Sequence, residues 1–135
     1  MTLYQGGIPC NCGRRGCLEV YCSATALARR AKPVLGDGAT AKDLFDAVRA
    51  GNGEAEKVMR EFTFDLGSAL VSLANILRPE RFVIGGGVSA SADLFLPEIN
   101  GMLRREVYGS GRAPVEAHAA KLGNAAGIIG AASLR

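Results

Sequence analysis

No apolar run in this sequence approaches the roughly 18 residues that a membrane span needs. Its start, "MTLYQGGIPC", lacks both the basic flank and the apolar stretch of a secretory signal. A cytoplasmic setting and no membrane partner are therefore expected. Low-complexity tracts are absent too, and 135 residues with 48% hydrophobic and 21% charged side chains describe one globular domain with a core of its own. There is no G-x-x-x-x-G-K-[ST] phosphate loop, no Ser/His/Asp arrangement and no base placed beside a nucleophile. The residues present offer parts for binding and none for bond-making.

What the chain does have is concentrated near its start. "CNCGRRGCLE", residues 10–19, places Cys10, Cys12 and Cys17 within eight residues. A reducing compartment favours thiolates that bind metal over disulfides, and a bridge across the two-residue Cys10–Cys12 step would be strained. Gly13 and Gly16 let the backbone turn so that three sulfurs converge on one ion. Within the chain the fourth ligand is open between Cys22, His118 and a water. Cys22 reads as a core residue among apolar neighbours, and the single histidine, His118, as packing or surface. Glu19 follows the cluster at the start of a helix. It serves there either as a partner for the helix dipole or as a fixed acceptor for the hydroxyls of a sugar. Residues 1–32 carry five cations against Glu19 alone, a basic region that reads as a solvated face or as a contact for phosphate or nucleic acid.

Periodicity predicts the elements. A turn-rich loop over residues 1–17 leads into a helix from Leu18 to about Lys32, broken by "KPVLGDG". Thr40 caps a short helix with Asp43 in its first turn, and Gly51 or Gly53 ends it. Phe62, Leu66, Leu70, Leu73 and Leu77 form one apolar stripe on a long helix over 54–77, stopped by Pro79. "RFVIGGG" is a short strand, "SADLFLPEINGMLRREVYG" helical with Pro97 marking a break or a new first turn, and "PVEAHAA" a second strand. "AAGIIGAASLR" closes as a small-residue helix packed against another surface. Two strands make a poor sheet, so the rest of the sheet is expected outside this chain.

"VIGGGVSA" fits G-x-G-x-x-G/A literally at Gly85, Gly87 and Ala90. The acid expected about 20 residues on, at the end of a following strand, has no good counterpart, because Glu116 falls mid-strand. A nicotinamide site is thus disfavoured, while a close approach of backbone to a nucleotide, or a plain structural turn, both stay open.

Taken together these residues resemble the ROK family of repressors, open reading frames and kinases, and in particular its bacterial glucokinases. "CNCGRRGCLE" matches the signature C-x-C-G-x-x-G-C-x-E at every fixed position. "LGSALVSLANILRPERFVIGGGVS" is similar to the family's long helix, strand and glycine turn, and "LGNAAGIIGAA" to its C-terminal helix. The resemblance implies an α/β, helix-rich C-terminal part of an actin-like, ribonuclease-H-like sugar kinase fold. The chain would form a single domain over 1–135, with a zinc-binding loop over 1–19 and a helical and α/β part over 20–135. It implies structural zinc on Cys10, Cys12 and Cys17, with a histidine from a G-E-x-G-H motif ahead of Met1 as fourth ligand. Glu19 would accept from sugar hydroxyls, and Gly85, Gly86 and Gly87 would line the adenosine side of an ATP site. Partners implied are a hexose such as glucose, ATP with magnesium in a longer protein, and a second copy in a homodimer. The D-x-G-G-T phosphate loop and the catalytic aspartate are missing here, so this chain alone is expected to be inactive. Two other readings are the sensor half of a ROK repressor, which binds DNA through a separate helix-turn-helix, and a small zinc-knuckle nucleic-acid binder.

Overall fold

The structure is a computed structural model and describes residues 1–109, 111, 114–122 and 125–134. Helices dominate: α1 (Glu19–Cys22), α2 (Ala24–Leu35), α3 (Ala41–Arg49), α4 (Gly53–Leu77), α5 (Leu96–Glu106) and α6 (Ala126–Ala132). Strands β1 (Arg81–Ile84) and β2 (Glu116–Ala119) pair in parallel, with Phe82 opposite Ala117 and Val83 opposite His118. A 3-10 helix over Ser89–Leu94 and α5 make the crossover between them. The α/β, helix-rich class expected from the sequence is the one observed.

The long α4 is the spine. Asn52 caps it by accepting from the Glu54 and Ala55 amides, and acidic Glu54 and Glu56 sit in its first turn, where the helix dipole favours them. Its buried side chains Met59, Phe62, Leu66, Leu70 and Ala74 join one continuous core with Leu27, Leu44, Phe95, Ile99 and Leu103. Helices α2 and α3 pack on α4 as well as on each other. Helix α5 packs on α4 and also reaches β2. Phe62 and Phe95 meet edge to face, their centroids 5.7 Å apart.

Several boundaries differ from expectation for identifiable reasons. The single helix expected from Leu18 to Lys32 is split at Ser23. That residue is extended, and its side chain accepts from the Ala26 amide, so it caps α2 and ends α1. Pro33 does not break α2 but sits in its last turn. The helix closes with the Gly36 amide donating to Lys32 O. Gly53 ends nothing: it opens α4, while Gly51 lies just past the end of α3. Thr40 and Asp43 form the reciprocal capping box at the start of α3. Pro97 lies in the first turn of α5, the alternative of a new first turn. Leu77, the last residue of the stripe, is exposed because the stripe outruns the elements that cover it.

The closing helix also departs from expectation. Every residue of α6 is exposed, Ile128 at 76%, so no surface among the described residues covers it. Gly123, Asn124 and Arg135 of that segment lie outside the described residues. Among the described residues the sheet has two strands, and Val83 on β1 is 61% exposed. Asn100 of α5 occupies the far side of β2, its side-chain oxygen accepting from the Ala117 amide at 2.8 Å and its nitrogen donating to the Ala117 carbonyl at 3.0 Å. That amide pair mimics a neighbouring strand.

Candidate functional site

The loop before α1 folds as a miniature hairpin. Pro9 bridges to Arg15, the Cys10 amide donates to Arg14 O at 2.8 Å, and the Gly13 amide closes a turn on Cys10 O at 3.0 Å. A second bridge joins Thr2 to Cys17, and the Gly16 carbonyl accepts from both Leu3 and Tyr4. Doubling the chain back twice brings Cys10, Cys12 and Cys17 together: their sulfurs all lie within 4.8 Å of one another. Cys12 and Cys17 are 3.6 Å apart, and all four cysteines are free thiols.

That spacing suits a tetrahedral ion, since zinc–sulfur bonds of about 2.3 Å place two ligand sulfurs about 3.8 Å apart. The electrostatics point the same way. Hydrogen bonding from Arg14, helped by the neighbouring thiols, lowers Cys12 to about 6, while its hydrogen bond with Cys12 and then burial raise Cys17. One thiolate is thus ready at neutral pH. Among the described residues neither Cys22 nor His118 joins the cluster. Cys22 packs against the core, where burial pushes its thiol up to about 12. His118 is exposed on β2, 3.7 Å from Glu116.

Glu19 opens α1, two residues after Cys17, and its carboxylate is exposed with no hydrogen bond among the described residues. The glycine turn lies elsewhere, after β1, and Gly85, Gly86 and Gly87 are all exposed. Gly86 takes a left-handed conformation (φ 77°), and the Ser89 hydroxyl donates to its carbonyl at 2.8 Å. The turn leads into a 3-10 helix with a kink at Ser91 rather than the regular helix of a dinucleotide fingerprint. Glu116 is not mid-strand: it begins β2 opposite Arg81, at the wrong end for a ribose acid. Beside Arg14, three of the five cations of the basic region bond within the chain, Arg15 and Arg29 while staying exposed. Arg15 donates to Gly6 O, Arg29 to Val20 O, and Arg30 pairs with Asp65.

Sequence reasoning passed over the residues that seat this loop. Tyr4 donates to Asp65 on α4 at 2.5 Å, and Arg30 on α2 pairs with the other oxygen of the same carboxylate. The Tyr21 hydroxyl accepts from the Ile8 amide at 2.9 Å, and its ring meets Tyr4 edge to face at 4.8 Å. A signal existed: Asp65 is three residues past Phe62, a charge on the face of the apolar stripe. A separate cavity of about 480 Å³ between α3, α4 and α5, lined by Met59, Thr63, Phe64 and Met102, touches none of the residues singled out from the sequence.

The whole chain, residues 1–135, matches the family model described as "ROK family". It belongs to the ROK family. A glucokinase of Halalkalibacterium halodurans is 40% identical, over 93% of this chain and 42% of its own length. A kanosamine kinase of Amycolatopsis mediterranei is 34% identical, over 96% of this chain and 43% of its own. Among solved structures, a ROK family glucokinase from Streptomyces griseus in complex with glucose and AMPPNP superposes with a TM-score of 0.86 at 33% identity. The match covers 98% of this chain and 48% of that one. This ROK chain therefore spans about half the length of the relatives it matches. No helix among its described residues is long and apolar enough to cross a membrane.

Proposed function

We propose that this chain is the sugar- and adenosine-binding part of an ATP-dependent hexose kinase of the glucokinase type. The observation that carries the reading is the folded signature: three thiols gathered within 4.8 Å and an exposed carboxylate, Glu19, two residues beyond the last of them. Cys10, Cys12 and Cys17 would hold a structural zinc ion, which orders the loop and takes no part in phosphoryl transfer. Glu19 then accepts from hydroxyls of the hexose, with glucose the first candidate. The exposed backbone of Gly85, Gly86 and Gly87 approaches the adenosine, and magnesium accompanies the phosphates. Phosphoryl transfer demands a base at the attacking hydroxyl and a cradle for the γ-phosphate, neither of which these residues supply. Activity accordingly belongs to a longer protein that carries them. Apolar side chains left exposed, Phe64, Ile76 and Val83 among them, support association with that remainder and with a second copy.

The test compares this chain with a version extended by the in-frame sequence upstream of the Met1 codon in the source genome. Glucose-dependent ADP release is expected from the extended protein and not from residues 1–135. In the extended protein, Glu19→Gln is expected to raise the KM for glucose more than it lowers kcat. Release of ADP by the short chain, or none by an extended one carrying D-x-G-G-T, overturns the reading. The repressor and nucleic-acid readings predict DNA or RNA binding instead. The family match over residues 1–135 argues against the second of these, which draws on the first loop alone.

A further inference from the structure

The thiol cluster sits on a loop with little core of its own. Of residues 1–18 only Gly16 and Cys17 are buried, so the loop has little apolar packing to hold its shape beyond the edge-to-face contact of Tyr4 on Tyr21. Beside that ring contact, what joins it to the helices is polar, and the Tyr4 and Arg30 bonds converge on one carboxylate. Asp65 is buried in α4, only 6% exposed, and takes the Tyr4 hydroxyl on one oxygen and Arg30 on the other. Arg30 in turn lies over the Tyr21 ring, 5.9 Å from its centroid, and reaches Glu61 at 3.6 Å. Tyr21 holds the loop a second time through the Ile8 amide. The two attachment points bracket the start of the hairpin. Tyr4 fixes the strand bonded to Gly16, next to Cys17, and Ile8, whose carbonyl accepts from the Gly16 amide, fixes the approach to Cys10.

We propose that Asp65 is the positioning residue of the thiol cluster: through Tyr4 and through Arg30 and Tyr21 it holds the loop ready for the metal. A buried charge-assisted pair is costly to break on one side only, so the carboxylate keeps both partners in place. The three sulfurs then start near their bound spacing, and metal binding has less of the loop left to order. Affinity that would go into ordering is retained. This rests on the metal reading above, but the clamp exists whether or not the ion is zinc.

The chain is stripped of metal with a chelator, and wild type, Tyr4→Phe, Asp65→Asn and Arg49→Ala are compared. Zinc affinity is read by competition with a chromophoric chelator, and loop order by hydrogen exchange of the Ile8 and Gly16 amides. Tyr4→Phe and Asp65→Asn are expected to weaken zinc binding about tenfold or more and to speed exchange of the metal-free loop at least as much, reflecting lost hydrogen bonds to a charge. Their cobalt spectra keep the three-thiolate signature. Arg49→Ala breaks a remote ion pair with Asp93 and is expected to leave zinc affinity within about twofold. A merely structural Asp65 would lower the melting temperature of metal-free and zinc-loaded protein equally, with affinity and exchange unchanged, and that result overturns the proposal. Should Asp65→Asn fail to fold, Tyr4→Phe decides, since it removes one hydroxyl. If wild type takes up no zinc, the metal reading fails by itself, and exchange in the metal-free loop still judges the clamp.

Discussion

Gly13 and Gly16 occupy equivalent places in the signature, yet substitution should have very different consequences. Both have left-handed backbones, φ 84° and 73°, so alanine at either costs about 1–2 kcal/mol of local strain. Gly13 stands at the tip of its turn, and a Cβ there meets nothing within 4 Å. At Gly16 the Cβ falls 1.6 Å from the Tyr4 carbonyl oxygen and 2.6 Å from its carbon, both backbone atoms that no rotamer change can move. The Tyr4 strand must then retreat by more than an ångström. That breaks the paired bonds from Leu3 and Tyr4 to Gly16 and drags the Tyr4 hydroxyl off Asp65. Losing the hydrogen bond to a charge adds roughly 1.5–3 kcal/mol, and each backbone bond about 1 kcal/mol. Gly13→Ala should therefore weaken zinc binding by about 5–30-fold. Gly16→Ala, at roughly 4.5–7 kcal/mol in all, should weaken it by at least a thousandfold. Chelator competition on the two purified variants reads both. Equal losses at the two glycines would refute the claim that close packing on Tyr4, rather than backbone handedness, shapes the cluster.

Other expectations concern titration and the sheet. The Tyr4 hydroxyl is raised to about 12, chiefly by its hydrogen bond to Asp65 and then by burial. Because the folded value lies above the ordinary 10, its contribution to stability is complete below pH 10 and lost as the pH climbs through 12. The melting-temperature gap between wild type and Tyr4→Phe should close over that interval, and a gap constant to pH 12 contradicts the assignment. In metal-free protein, iodoacetamide at neutral pH should modify Cys12 first, with a midpoint near 6, and Cys22 last. Mass mapping that finds Cys22 labelled alongside Cys12 would rule this out. Asn100→Ala removes both bonds to Ala117 and leaves that amide and carbonyl without their partner, a loss of about 1–3 kcal/mol in urea unfolding. A change below about 0.5 kcal/mol would mean that the edge of β2 needs no such cover.

The family, the ordered motifs and most of the elements were legible in the residues themselves. Local chemistry decides those features: the capping pair Thr40 and Asp43, the spacing of Phe62, Leu66 and Leu70, and the glycine-flanked cysteines all act within one or two turns of chain. Boundaries slipped where a single side chain had two local options, as at Ser23, which could continue a helix and instead caps the next. What the sequence could not decide is long-range. Asp65 is 61 residues from Tyr4, and Asn100 is 17 from Ala117, so no spacing rule connects them. Sequence alone singled out the atoms that the proposal assigns to a metal and a sugar, because that is a matter of residue type at short spacing. Only the tertiary structure decided how those atoms are held, because a loop with little apolar packing is seated through the buried charge it meets across the fold.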